Sequence, residues 1–285
     1  MDMEDEKIIK LFNKILKEKL NYNDNCISRK ATEEEYFRAY LIFKSNSIYY
    51  SRFKFYNERT QKYITGKYLS EKYNSWVSKG IIEKLYNIIN NEYIESKHPS
   101  IFKNISIDTS FIPNRIAPKK DTGMSVYYKS KYGLKINTAI DTLGAPIDIS
   151  IAKGNENDAS IAIERIAIIA NKINTKKYKN SNKYKIRILG DGIYDSEKFR
   201  NKAKENDFIP ITHTNIRNTK DPKKLKEKEL NNKQKEILKD RHIVENNFAW
   251  MTQYSSRFYR VFYKKPINFL NELYITAAKI LLKRI

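Results

Sequence analysis

The sequence predicts an α/β protein: a mixed sheet flanked by helices, preceded by an all-α N-terminal region. Three observations carry this prediction. Apolar residues in roughly the first hundred positions recur at helical spacing. At His98-Pro99-Ser100 the texture changes to short, β-branched runs. Beyond that point the expected elements follow the order β, ββ, α, β, α, β, α, which calls for a sheet with helices packed on it.

The first helix is expected over Asp5 to Leu20, with Ile8, Ile9, Leu11, Phe12, Ile15, Leu16 and Leu20 on one face. Thr32-Glu33-Glu34-Glu35 reads as a helix start, because a Thr cap followed by Glu at the third position satisfies two free backbone N–H groups. Tyr36, Phe37, Tyr40, Leu41 and Phe43 continue it. Residues 48–63 are dense in aromatic and basic side chains, a composition that fits a core more readily than a base-stacking surface, and Thr65-Gly66 ends the run. Leu69 to Val77 and Ile81 to Tyr93 read as two helices turned at Lys79-Gly80. Two short helices on a tight turn suit a helix-turn-helix DNA reader and a plain packing module equally well.

Past the boundary, Ile105 to Thr109 reads as a strand. Arg115 to Lys131 is a basic loop. Lys135 to Ile140 and Pro146 to Ile151 form a strand pair around the turn Asp141-Thr142-Leu143-Gly144-Ala145. Asp158 is expected to cap the apolar helix Ala159 to Ile173. Lys185 to Gly190 is a strand, Asp195 or Ser196 opens a helix to about Glu205, and Phe208 to Thr212 is a further strand. A basic segment, Arg217 to Arg241, runs into a helix containing Glu245, and Pro266 to Ile285 is a final amphipathic helix. The expected division is residues 1–100, helical, and residues 101–285, the α/β part with a basic insertion around 213–240.

Composition narrows the function. The chain has 285 residues, with 55 Lys and Arg against 33 Asp and Glu, a net charge of +22. That length buries a core without staples. The single cysteine, Cys26, excludes a disulfide framework and a Cys-rich zinc site and suits a reducing compartment. His98, His213 and His242 have no zinc-like spacing. The acidic start, Met1 to Glu6, is unlike a signal or transit peptide. No apolar run reaches the roughly 18 residues of a spanning helix. An intracellular, soluble protein without a membrane partner is expected. The positive charge favours a polyanion, although lysine used as surface solvation gives the same total.

Three acids stand out by position. Asp108 lies in the first strand of the sheet, Asp191 at the end of a later strand, and Glu245 on a late helix. Each also has an ordinary structural explanation: a loop contact for Asp108, turn chemistry for Asp191, an i−4 pairing with Arg241 for Glu245. Together they offer oxygen ligands of the kind hard divalent cations take. Two such ions about 3.5–4 Å apart serve phosphoryl transfer.

The text around these acids resembles the DDE transposases of bacterial insertion sequences, the four/five superfamily. Ile107-Asp108-Thr109-Ser110 is similar to the family's first-Asp motif. Gly133 to Ser160 resembles a family block, with Asp141 before a Gly-Ala-Pro turn and then Gly154-Asn155-Glu156-Asn157-Asp158-Ala159-Ser160. Leu189-Gly190-Asp191-Gly192-Ile193-Tyr194-Asp195-Ser196 is similar to the second-Asp motif. Arg241-His242-Ile243-Val244-Glu245 is similar to the third, in which Arg precedes the catalytic Glu by four residues. The resemblance covers roughly residues 32–285.

It implies an RNase H-like catalytic domain and an enzyme that cleaves DNA at transposon ends and transfers the freed 3′-hydroxyl to target DNA. It also implies Mg²⁺ or Mn²⁺, two ions, held by Asp108, Asp191 and Glu245 as the catalytic triad, and a homodimer to bring two ends together. DNA backbone would be gripped by Lys119, Lys120, Lys129, Lys131 and Arg241. The chain departs from the third motif at Leu238 and Thr252, where the family often has Tyr and Lys; Arg257 and Arg260 are the nearby cations that could substitute. A domesticated, non-transposing DNA-binding protein and a two-metal DNA nuclease of the same fold are the alternatives. Asp141, Asp158 and Asp195 rank below the triad as ligands, Asp141 as turn chemistry and the other two as helix caps.

Overall fold

A computed structural model describes residues 2–20, 31–46, 49–175, 185–215, 229–255 and 263–285. They divide into two compact units, residues 1–93 with 251–285, and residues 94–250. The expected boundary near residue 100 cuts the chain once, whereas this division groups the last helix with the first four.

The first unit contains α1 (Met3–Leu20), α2 (Glu33–Ser45), α3 (Gly66–Ser78), most of α4 (Ile81–Ser96) and a last helix, Pro266–Leu282. Thr32 makes the expected capping box with Glu35 at the start of α2. Such a cap contributes about 1 kcal/mol. Aromatic rings fill the core. Phe12 stacks on Phe37 with centroids 3.9 Å apart, and Trp76 meets both edge-on. The Trp76 indole N–H donates to buried Glu33 at 2.7 Å. The helical reading of this region omits one feature: β1 (Lys54–Asn57) and β2 (Lys62–Thr65) form an antiparallel hairpin. The aromatic run around it is only partly core. Phe53 is buried, while Tyr49, Tyr56 and Tyr63 are exposed. Alternation in so short a ribbon leaves one face wet.

The second unit is built on a six-stranded sheet: β3 (Asn104–Pro113), β4 (Gly123–Ser125), β5 (Lys131–Ile140), β6 (Pro146–Lys153), β7 (Arg187–Gly190) and β8 (Ile209–Thr212). β6, β5 and β3 are antiparallel neighbours, and β7 and β8 continue from β3 in parallel. The basic loop after β3 is more ordered than the sequence suggests. It contains a 3₁₀ turn, Lys119–Asp121, and β4, which pairs with the start of β5. Glycine makes this corner feasible. A Cβ on Gly154 would meet Gly123 O at 2.5 Å, Phe111 Cε2 at 2.6 Å and Gly133 O at 2.9 Å.

Helices α5 (Asp158–Ile173) and α6 (Glu197–Glu205) accompany the sheet. Their caps are Asn157, where Asp158 was expected, and Ser196, one of the two residues expected to open α6, rather than Asp195. Asp158 is the first helical residue and pairs with Lys135 at 2.6 Å. Asp195 is buried, paired with Arg200 and accepting from the Asn215 N–H. Asp141 does supply the turn, accepting from the Leu143 and Ala145 N–H groups at 2.8 and 2.9 Å. In that turn Gly144 has φ +73°, a conformation that side chains resist.

Helix α7 (Asn232–Lys239) anchors on the sheet through Leu238, which packs with Leu189 of β7 and Ile211 of β8. A 3₁₀ turn, Asp240–His242, leads into α8 (Ile243–Tyr254). The last helix, Pro266–Leu282, is then α9. No described helix is long and apolar enough to cross a membrane.

Candidate functional site

The site is organised by β3, the central strand. β3 and β7 run in parallel with Ser106 opposite Leu189. Two residues further along each chain stand Asp108 and Asp191, so the register sets their backbones side by side where β7 ends. Period-two alternation puts both on the same face as Ser106 and Leu189. Asp191 leaves the strand as the cap of a 3₁₀ turn, accepting from the Ile193 N–H at 2.8 Å. It is therefore a turn residue whose negative charge is also felt at Asp108.

Local bonds fix Asp108. Its Oδ1 accepts from the Thr109 N–H at 2.8 Å. The Thr109 hydroxyl lies 3.0 Å from the Tyr194 hydroxyl and accepts from Asn137 Nδ2 at 3.1 Å. Tyr194 is buried, and burial, followed by the charge of Asp108, holds its phenol well above the ordinary range. Neither Tyr194 nor Asn137 was a sequence candidate. Tyr194 carried one signal, its place in the second-Asp motif three residues after Asp191.

Burial pushes the Asp108 carboxyl up to about 6, and the negative charges of Asp191 and Asp158 push the same way. The Thr109 N–H and the Arg241 guanidinium act against them. Asp158 is thus near enough to be felt at Asp108, beyond the capping role expected of it. Arg241 Nη1 reaches Asp108 Oδ2 at 3.4 Å, with both side chains about a quarter exposed.

Glu245 stands exposed in the first turn of α8. Among the described residues Arg241 pairs with Asp108 rather than with Glu245. No three or more His, Cys, Asp or Glu side chains among the described residues gather closely enough to hold a metal ion. The structure thus brings together Asp108, Asp191 and Arg241, and leaves Glu245 about one helical turn beyond Arg241.

Lys119, Lys120, Lys129 and Lys131 are all exposed, on the 3₁₀ turn and the β4–β5 hairpin. Lys119 lies over the Tyr132 ring at 5.3 Å. Arg257 and Arg260, with Cys26 and residues 216–228 of the basic insertion, fall outside the described residues. His242 is exposed, as a solvated position would be.

The chain matches the family described as the transposase DDE domain over residues 103–282. A comparison with curated proteins found no match. Among solved structures the chain is similar to a piggyBac transposase synaptic complex with hairpin DNA. The identity is 13%, the TM-score 0.53, and the match covers 100% of this chain and 73% of that one. It also aligns with the Mos1 mariner paired end complex with Mn, at 9% identity and a TM-score of 0.27, over 91% of this chain and 98% of that one. The piggyBac likeness is one of fold, and at its TM-score the Mos1 alignment adds nothing to it.

Proposed function

The chain belongs to the transposase DDE domain family and is a DNA-transposing enzyme of the DDE type, and from that premise we propose that Asp108 and Asp191 are its central carboxylates, with Glu245 as the third. One observation carries the assignment: the parallel register of β3 and β7 sets the two aspartates side by side at the end of the sheet. The donor set suits a hard divalent cation. A carboxylate whose ionisation is made costly by burial and by a second acid nearby, as at Asp108, is what such a cation relieves. When bound, Mg²⁺ or Mn²⁺, one ion or two, supplies polarisation of the scissile phosphate and acidification of the attacking water or 3′-hydroxyl.

The chain's own groups set the rest. The Thr109 N–H orients Asp108, and Tyr194 and Asn137 hold Thr109 in turn. Arg241 stabilises charge at Asp108 and is placed to receive a DNA phosphate. Lys119, Lys120, Lys129 and Lys131 grip the backbone without reading sequence, and Arg257 and Arg260 join them in this reading. The double-stranded partner includes the element's ends and its target, and a homodimer would hold two ends together.

The test is cleavage of a labelled duplex, taken from the sequence flanking the gene, with Mg²⁺ or Mn²⁺. Asp108→Asn, Asp191→Asn and Glu245→Gln should each lose about a hundredfold or more in rate, the scale of lost transition-state electrostatics, while binding persists. Metal-dependent cutting that survives all three changes would sink the assignment. DNA binding should also weaken steeply with salt.

A further inference from the structure

The most exposed aromatic side chain in the described structure stands at the tip of the β4–β5 hairpin. Tyr127 is 91% exposed and the preceding Val126 75%. Isolated apolar residues on a surface are ordinary. Here the exposure belongs to a braced projection. The next residue, Tyr128, stacks on Phe111 of β3 with ring centroids 4.6 Å apart and planes 19° from parallel. The Lys131 N–H closes the turn onto Tyr128 O at 3.2 Å. Lys129 and Ser130 adopt left-handed backbone, with φ 53° and 56°. Underneath, Gly133 lies against Phe111 with no space for a side chain. The tip is therefore presented by rigid parts, which limits the entropy lost when it is buried against a partner.

Its surroundings name the partner's chemistry. Exposed Arg115, Lys119, Lys120, Lys129 and Lys131 lie on the hairpin or the segment leading to it, with Asp121 the acid among them. An apolar, aromatic tip ringed by cations complements a ligand with anionic edges and flat, stackable faces. Nucleic acid has both, and proteins that kink duplexes insert apolar wedges between base steps while cations hold the phosphates.

Position adds a distance. Asp108 pairs with Thr138, and Lys131 lies seven residues back along β5, toward the same end of the sheet as Asp191. At about 3.4 Å per residue Lys131, at the base of the tip, is roughly 24 Å along the sheet from Asp108, so the tip stands about seven base-pair steps of a duplex or more from it.

Resting on the DNA-acting role above, we propose that Val126 and Tyr127 form a wedge that stacks into duplex DNA away from the cleavage point, held there by the neighbouring lysines. Pyrimidine–purine steps, which unstack most readily, are its preferred entry.

The test uses the full chain and a TA-rich duplex of about thirty base pairs, long enough for several such spans, carrying 2-aminopurine at successive positions. Wild type should raise the fluorescence at one or two positions, as a base leaves the stack. Tyr127→Ala should abolish that rise and weaken binding roughly fivefold or more, while the salt slope stays unchanged because no charge is removed. Tyr127→Trp should retain the rise, and its added indole emission should be quenched on binding. Lys129→Ala and Lys131→Ala should instead lower the salt slope by about one each. A salt-sensitive complex in which Tyr127→Ala leaves the fluorescence profile and affinity unchanged overturns the wedge and spares the transposase reading. Wild type that binds no duplex at all overturns both.

Discussion

Arg241 Nη1 lies 3.4 Å from Asp108 Oδ2, joining residues 133 apart in sequence. Arg241 enters on the 3₁₀ turn Asp240–His242, which Asp240 ties to β3 by accepting from Asn104 Nδ2 at 2.9 Å. Arg187 donates to the same Asn104 at 3.1 Å. Asp108 thus has its counter-charge delivered by the chain leading to Glu245.

Removing that guanidinium should separate chemistry from stability. A partly exposed ion pair at 3.4 Å contributes about 0–1 kcal/mol, so Arg241→Ala should barely move the melting temperature. Single-turnover cleavage should fall about tenfold to a hundredfold, the usual effect of losing a group that orients a metal-binding carboxylate. Arg241→Lys should recover part of the rate, because a point charge replaces a planar fork. A cleavage rate equal to wild type in Arg241→Ala would remove Arg241 from the site.

Asp148 of β6 should show the opposite pattern. It is 1% exposed, held by Arg165 at 2.8 and 2.7 Å and by Lys172 at 2.8 Å. Burial acts to raise its carboxyl, and the two cations outweigh that and hold it below the ordinary range. Asp148→Ala removes the carboxylate that neutralises two partly buried cations and should cost about 3–5 kcal/mol. Urea unfolding followed by circular dichroism measures this; a loss under 1 kcal/mol, the value of an exposed pair, would contradict it.

Gly133→Ala tests the corner that supports the hairpin. The new Cβ would lie 2.3 Å from Ile112 O and 2.6 Å from Phe111 Cζ. Backbone cannot yield as a flexible side chain can, so a loss of about 1–3 kcal/mol is expected. Thermal unfolding measures it, and an unchanged midpoint would show that β3 and β5 separate freely here.

Lys44 gives the first unit a pH dependence. It is 2% exposed and donates to Tyr254 O at 3.2 Å. Burial pushes its ammonium down from 10.5 to about 7, against the opposing charge of Glu272. Between those values the unfolded chain binds the extra proton, so stability rises with pH, by at most about 1.4 kcal/mol per pH unit. Below about 7 the folded form is also protonated and the gain is absent. Tyr40, Tyr73 and Tyr263 are held well above 10.0 and do not titrate in this window. Unfolding free energy measured from pH 7 to about 9 should climb in wild type relative to Lys44→Met. Parallel curves would exclude the buried amine as the cause.

Much of this protein was legible in its sequence because much of it is local. Period 3.6 marked the helices, β-branched runs marked β3, β5, β6, β7 and β8, and Thr32 with Glu35 announced the cap of α2. Motif order placed Asp108, Asp191, Glu245 and Arg241. The short hairpin β1–β2 escaped because its aromatic run has no decisive period, and Asn157 escaped as a cap because Asp158 beside it could serve as well.

Tertiary structure decided which of these residues meet. Strand register, set by sheet pairing between distant segments, put Asp191 beside Asp108. Packing of Leu238 on β7 and β8 carried Arg241 to Asp108 and left Glu245 exposed. Burial, which no single residue encodes, raised the Asp108 carboxyl and enclosed Asp148 and Lys44. Exposure, the converse, turned Tyr127 from one of 21 tyrosines into the tip of a projecting hairpin. The sequence specified what each segment would become; the free energy of packing those segments together specified which charges, hydroxyls and rings would share a site.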